Sequence, residues 1–334
     1  MITYKTPDFV KKRGIVLSKE QVPYDSALTF NAGINRCKDG YVMLFRNDYG
    51  FCKQDFDDFY AGISDNTTPR TNIGAAFSPD GIHWQVQQEA AFSLSGNGIS
   101  RCYDPRITDL GNGQYAVCFA VDSNAGTRGG IALTDDFKNF DIKTISQPEN
   151  RNMVVFPEKI NGKYVRLERP FRCGGKNHAI WISNSPDLTF WGESEVLLKV
   201  EDLPYANYKI GPGAPPVKTP HGWLTLFHTV EKHEESFDSW QRGWVYAYYA
   251  GVMLLDLENP SKVIAVADRP LLVPEEPYEV SGFRGGVIFP GGCIAEPDGT
   301  VKIYYGAADT VECLAEAKID DLVQFCFNNN CIKK

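Results

Sequence analysis

The stretch RCYDPRIT, residues 101–108, sets one carboxylate, Asp104, between two guanidiniums, Arg101 and Arg106. The ring of Tyr103 lies beside it, and Pro105 fixes the backbone that follows. Other polar residues fall at matching places relative to short predicted strands: Asn31, Arg46, Arg151, Arg169, Lys209, His228 and Asp309. The set holds three arginines (Arg46, Arg151 and Arg169), a lysine and a histidine against Asp104 and Asp309, in a chain of formal net charge −8. Burying that much unpaired positive charge is costly, so an anion must compensate it. Arginine forks with a lysine point charge suit phosphate or carboxylate. Glycoside cleavage normally takes two carboxylates, one acid and one base or nucleophile. Here one carboxylate stands in a catalytic setting, and a cationic cluster occupies the place of the second. That division of labour makes sense if the nucleophile is itself an anion that needs no general base. Inorganic phosphate is such a nucleophile, and Asp104 is then the lone proton donor.

No member of the set carries this alone. Asp-Pro is a common turn, a strand-end arginine more often braces a loop than acts, and an isolated His228 reads first as a satisfied core or rim histidine. Tyr246, Tyr248 and Tyr249 are by default sheet residues. The joint placement is the signal, and the elements that produce it form a repeat. A turn ending in glycine followed by an alternating strand occurs five times: KDGYVMLFR (38–46), GNGQYAVCFA (111–120), INGKYVRLER (160–169), PHGWLTLFHT (220–229) and PDGTVKIYYGA (297–307). A short strand precedes each turn, so each unit reads as a hairpin. A second element, FSPDGIHW (77–84), LTDDFKNF (133–140), NSPDLTFWG (184–192) and the weaker LDLENPSKV (255–263), reads as a tight turn between outer strands. It is similar to the Asp box of sialidases with its spacing one residue short. Five units of roughly 60 residues, nearly all strand and turn, predict an all-β, five-bladed β-propeller over residues 1–334. Residues 1–28 read as an N-terminal extension with a short helix or an oligomer contact. A two-domain β-sandwich is the alternative, and it leaves the five similar hairpins unexplained. A hairpin starts and ends on one face, so the starts of first strands and the ends of second strands gather the polar set at one mouth of the axis.

Composition limits the partners. The chain has 334 residues, 43% hydrophobic and 13% aromatic, enough for a large core. The net charge argues against nucleic-acid or membrane-surface binding. No apolar run reaches the ~18 residues of a membrane span, and the polar N-terminus lacks a signal-peptide stretch. Nine cysteines without CxxC spacing suit free thiols in a reducing cytoplasm better than a disulfide framework or a zinc site. A metal or cofactor is not expected.

At the level of motifs, NAGINR, RCYDPRIT, ENRNMVVFPEKINGKYVRLERP, YKIGPGAPPVKT, GVMLLDLENPSKV and IYYGAADT resemble the signatures of glycoside hydrolase family 130, over about residues 25 to 315. The short N-terminus is similar to the mannooligosaccharide phosphorylase branch more than to the longer mannosylglucose phosphorylases. The resemblance implies inverting phosphorolysis of β-mannosides, β-1,4-mannooligosaccharides first, with release of α-mannose 1-phosphate. It makes Asp104 the catalytic acid, protonating the glycosidic oxygen through the 3-hydroxyl of the bound mannose. It assigns phosphate to Arg151, Arg169, Lys209, His228 and, by spacing from Gly251, Tyr248 rather than Tyr249. It assigns mannose to Asn31, Arg46 and Asp309, and more weakly the acceptor side to Tyr103, His178, Tyr246 and Phe289. It also implies a homo-oligomer. Ala32 stands where some members place a hydroxyl, which leaves the acceptor open. The linkage, β-1,4 or β-1,2, is open as well, and both depend on loops such as 53–72 and 231–243 or on a neighbouring subunit. Two other readings stay in play: a β-mannoside hydrolase, which would lose the phosphate cations and gain carboxylates, and a non-catalytic carbohydrate-binding propeller. A sialidase-like site needs a tyrosine nucleophile with a glutamate partner, and the sequence offers no clear pair.

Overall fold

The five turn glycines, Gly40, Gly113, Gly162, Gly222 and Gly299, all adopt positive φ, a conformation that glycine reaches without steric cost. Each reverses the chain between the first and second strands of an antiparallel sheet. The structure, a computed structural model, describes residues 2–65, 69–171 and 178–332. Blade one runs Leu28–Cys37, Gly40–Tyr49, Arg70–Ser78 and Gln85–Val86. Blade two runs Ile99–Asp109, Tyr115–Ser123, Gly126–Thr134 and Asp141–Ile145. Blade three comprises Asn150–Val155, Tyr164–Pro170, Ile180–Ser185 and Gly192–Leu198. Blade four comprises Lys209–Pro212 with Val217–Thr219, then Gly222–Lys232, Tyr246–Leu255 and Val263–Val266. The fifth blade is Ile288–Ala295, Thr300–Ala307 and Val311–Lys318, and its outer strand comes from the other end of the chain: Lys11–Leu17 pairs antiparallel with Val311–Lys318. The predicted five-bladed propeller is the observed architecture. The N-terminal stretch, read as an extension, instead supplies the strand that closes the ring. A one-turn 3-10 helix, Lys19–Gln21, follows that strand, and the C-terminal helix Ile319–Asn328 buries Leu322, Val323, Phe325 and Cys326 against blades four and five.

The second recurring element is structural, as its residues suggest. In blades one to three, Ser78, Thr134 and Ser185 each accept a hydrogen bond from a backbone N–H three residues on, at 2.8, 2.9 and 2.9 Å. Asp80, Asp136 and Asp187 each accept two further N–H groups. Asp256 does the same in blade four. These are side-chain-capped turns joining third to fourth strands.

The site depends on an irregularity common to the innermost strands. Register shifts fall between Phe30 and Gly33, Tyr103 and Arg106, Arg151 and Val154, and Pro290 and Gly292. At the first three, Asn31, Asp104 and Asn152 take positive φ of 53°, 52° and 57°. A bulge re-aims a side chain at the cost of local pairing, and non-glycine residues in this region store strain typical of functional positions. Because the bulges pack together at the axis, blades one and two leave no room there. A Cβ on Gly33 would lie 2.7 Å from Arg106 Cα, 2.8 Å from the Pro105 oxygen and 2.9 Å from Ile107 N. Gly33→Ala should therefore lower the unfolding free energy by about 1–3 kcal/mol in denaturant titrations. Gly192→Ala, whose Cβ meets nothing within 4 Å, should stay within about 1 kcal/mol of wild type. Equal stability of the two variants would contradict the close axial packing.

Candidate active site

Asp104 sits at its bulge with its side chain 10% exposed. Its Oδ1 accepts from Asn31 Nδ2 at 3.0 Å and from Arg46 Nη1 at 3.4 Å. Burial pushes the carboxyl's pKa up, but Arg46, Arg106, the Asn31 hydrogen bond and Arg151 together outweigh it and hold the group below the usual aspartate value. The carboxylate is therefore ionised at neutral pH. Arg46 is not a free cation. Asp48, two residues along the same strand and hence on the same face, takes it in a bidentate pair at 2.9 and 2.6 Å, and its guanidinium stacks over Phe30 and Tyr103. Asn31, Arg46 and Asp104 thus form one unit, with orientation fixed by Asp48.

Arg106 has a different role from that suggested by its place beside Asp104. Its guanidinium donates to the carbonyls of Asn31 (3.2 Å), Pro105 (2.6 Å), Gly213 (2.8 Å) and Pro290 (3.5 Å), which belong to blades one, two, four and five. Arg101 turns away from Asp104 and pairs with Asp122 at 2.6 Å.

Across the mouth, Arg151, Arg169 and Lys209 come together from blades three and four. Among the described residues none of them has a carboxylate within ion-pair distance, whereas Arg166, on the same strand as Arg169, is paired with Glu168 at 2.6 Å. The Nε atoms of Arg151 and Arg169 are buried without a hydrogen-bond partner among the described residues. Arg169, 2% exposed, is pulled down to about 9 by burial and by Arg151 beside it and still carries its charge at neutral pH. Burial, then Arg169, Arg151 and Arg284, push the Lys209 ammonium well below its ordinary value. His228 lies behind Arg169 and is 0% exposed. Burial first, and then the surrounding cations, depress its pKa strongly, so it is a neutral imidazole. Its Nδ1 donates to the Pro212 carbonyl at 3.2 Å and its Nε2 accepts from Arg169 Nη1 at 3.0 Å. The histidine that the sequence adds to the positive charge is an uncharged brace for one of the arginines in this state.

A cavity of about 740 Å³ opens over this floor, and Arg46, Tyr103, Arg151, Lys209 and Tyr248 line it. Tyr248 stacks near His228 and Trp244, while Tyr249 faces the other side of the sheet and donates to Glu231 at 2.7 Å. Asp309, at φ 49°, accepts from Arg284 Nη1 at 3.1 Å. Burial raises its pKa against the pull of Arg284 and Arg46. Tyr103 lines the cavity, but its hydroxyl is engaged with Arg151 and Asp122. Phe289 lies beneath the floor between His228 and Arg106. Tyr246 stacks on Tyr208 at 4.8 Å, outside the cavity lining. The His178 carbonyl accepts from Ile210 N at 3.2 Å, and its ring meets Phe171 at 5.2 Å.

Several site residues lie outside the set read from sequence. Asp48 and Asp122 stand at the ends of second strands, and Arg284 just before a first strand, so the rule that found Arg46 and Arg151 also points to them. The helix Lys53–Tyr60 had no such signal. It puts Phe56 and Tyr60 into the wall of the cavity. Phe56 packs on Phe283 and Trp240, while Arg242 stacks on Tyr60, so insertions from blades one and four meet across the mouth.

Comparison with known proteins gives the family. Residues 15–328 match the family model of glycoside hydrolase family 130, described as β-1,4-mannooligosaccharide phosphorylase. The β-1,2-mannobiose phosphorylase of Listeria innocua is 34% identical over 258 residues, which span 77% of this chain and 69% of that protein. The β-1,4-mannooligosaccharide phosphorylase of Ruminococcus albus is 34% identical over 278 residues, 80% of each chain. The solved Listeria innocua β-1,2-mannobiose phosphorylase in complex with β-1,2-mannobiose superposes with a TM-score of 0.80 at 27% identity, covering 96% of this chain and 99% of that one. A five-bladed propeller matched along nearly its whole length by that family's model belongs to glycoside hydrolase family 130.

Proposed function

We propose that the protein is an inverting phosphorylase of β-mannosides that transfers the terminal mannosyl group to inorganic phosphate and releases α-mannose 1-phosphate. The observation that carries this reading is the cluster of Arg151, Arg169 and Lys209, which has no carboxylate partner among the described residues and faces Asp104. A phosphate held there supplies the missing negative charge and needs no base. One of its oxygens attacks the anomeric carbon from the face opposite the leaving group. The C–O bond to the acceptor sugar breaks, and the leaving oxygen takes the proton of Asp104, relayed by the mannose 3-hydroxyl. A single displacement inverts the anomeric centre. Asn31 and Arg46 orient Asp104, and Asp309 with Arg284 accepts and donates at the sugar hydroxyls.

Asp104 must be protonated to act, and its neighbouring cations favour the carboxylate. Phosphate beside Arg151 offsets part of that positive field, so binding of the nucleophile favours the protonated acid. A hydrolase would need a second carboxylate free to activate water. Asp48 is locked on Arg46, Asp122 on Arg101 and Tyr103, Asp309 on Arg284, and Glu168 on Arg166. The names of the relatives divide on linkage. The Ruminococcus albus enzyme and the family description support β-1,4, the linkage favoured from sequence, while the Listeria innocua enzyme supports β-1,2.

Incubation with β-1,4- and β-1,2-mannobiose, with and without phosphate, tests the reading. Mannose 1-phosphate of α configuration should form from at least one of them, and only with phosphate. Release of free mannose at full rate without phosphate would overturn it. Asp104→Asn should lower turnover by about 10²–10⁴-fold, the usual worth of general-acid catalysis, with the circular dichroism spectrum unchanged. Retention of most activity would place the acid elsewhere.

A further inference from the structure

Arg151 reaches the cavity as a long side chain with a buried, unpartnered Nε, yet its guanidinium must hold one orientation to serve an anion. The hydrogen bond that fixes it runs from Nη1 to the hydroxyl of Tyr103 at 3.3 Å. That hydroxyl in turn donates to Asp122 Oδ1 at 2.8 Å. Asp122 is held from two further sides: Thr127 Oγ1 donates to Oδ1 at 3.0 Å, and Arg101 Nε donates to Oδ2 at 2.6 Å. The Tyr103 ring is clamped between the guanidiniums of Arg46 and Arg101, whose carbons lie 5.1 and 4.7 Å from its centroid. A phenol hydroxyl has one proton and can either donate or receive along a given direction. Because Asp122 is an acceptor only, it draws that proton to itself and turns the oxygen lone pair toward Arg151.

We infer that Asp122 is a positioning residue for phosphate, acting through the Tyr103 hydroxyl to set the orientation of Arg151. The inference rests on the phosphate reading above and adds to it a residue that does not itself reach the anion. It also moves Tyr103 from the acceptor side to the phosphate side. The carboxylate stays ionised: burial raises its pKa, but Arg101, Tyr103 and Thr127 more than offset that. Asparagine at this position offers an N–H as readily as an oxygen, so it no longer dictates the direction of the Tyr103 proton. Phenylalanine at position 103 keeps the ring between its two arginines and removes only the hydroxyl.

The test is isothermal titration of inorganic phosphate into the wild type, Tyr103→Phe, Asp122→Asn and the double variant, with the mannoside KM measured at saturating phosphate. Loss of a hydrogen bond to a charged group corresponds to a rise in phosphate Kd of about tenfold. Each single variant should show that rise, the mannoside KM should move less than twofold, and the double variant should be no worse than Tyr103→Phe. This non-additivity marks two residues acting in series. An unchanged phosphate Kd in Asp122→Asn, a loss confined to the mannoside KM, or additive losses in the double variant would each overturn the inference while leaving the phosphorylase reading intact. If Asp122→Asn does not fold, Tyr103→Phe alone decides the hydroxyl step, and an unchanged Kd there rejects it. A wild type that does not bind phosphate at all would reject the phosphorylase reading and this inference with it.

Discussion

The guanidinium of Arg106 is the point at which four blades become one site. Its hydrogen bonds to the carbonyls of Asn31, Pro105 and Pro290, beside the bulges, and of Gly213, in the break of the first strand of blade four, supply donors to backbone groups that would each cost stability if buried without one. The bulges aim Asn31 and Asp104 at the axis. The residue that ties them is therefore what allows a strained backbone to persist there. Burial draws the Arg106 pKa down, and Asp104 and Glu312 oppose that shift. Structure and chemistry are thus linked at a single side chain that need not touch a substrate.

From that hub the charges divide into two kinds. Arg46, Arg101, Arg166 and Arg284 each hold a carboxylate, so their charge is compensated within the protein. Arg151, Arg169 and Lys209 hold none among the described residues, and stability alone does not account for them: removing a buried charge's partner is destabilising, and these three lack one from the outset. Arg151 and Lys209 line the cavity, with Arg169 buried beside them and a neutral histidine behind, and the proposed phosphorolysis would use that positive field to hold its anion. Asp104 lies in the same field, so on the proposed reading the anion and the acid respond to each other.

Much of this was legible in the sequence where local chemistry repeats. The five turn glycines gave the hairpins, and the strand-end rule brought Asn31, Arg46, Asp104, Arg151, Arg169 and Lys209 to one mouth. What escaped depends on neighbours distant in sequence. Lys11–Leu17 carries no local mark of its pairing with Val311–Lys318, at the far end of the chain. The helix Lys53–Tyr60 is too short for a periodic signal and is held by Phe56 against Phe283 and Trp240. The charge state of His228 is decided by burial and by Arg169, and neither is visible in LFHT. Asp48 and Asp122 also stand at strand ends, but nothing local marks which guanidinium or hydroxyl each carboxylate orients.

If Arg151, Arg169 and Lys209 hold an anion in the folded protein, that anion must stabilise the fold. A ligand that binds only the native state stabilises it by RT ln(1 + [L]/Kd), about 2.7 kcal/mol at a hundredfold excess over Kd. The most direct test is thermal unfolding in increasing phosphate against sodium chloride of equal ionic strength, for the wild type and Lys209→Met. The wild-type Tm should climb with phosphate and stay nearly flat in chloride, and the variant should lose most of the phosphate dependence. A wild-type Tm that responds identically to the two salts would contradict it.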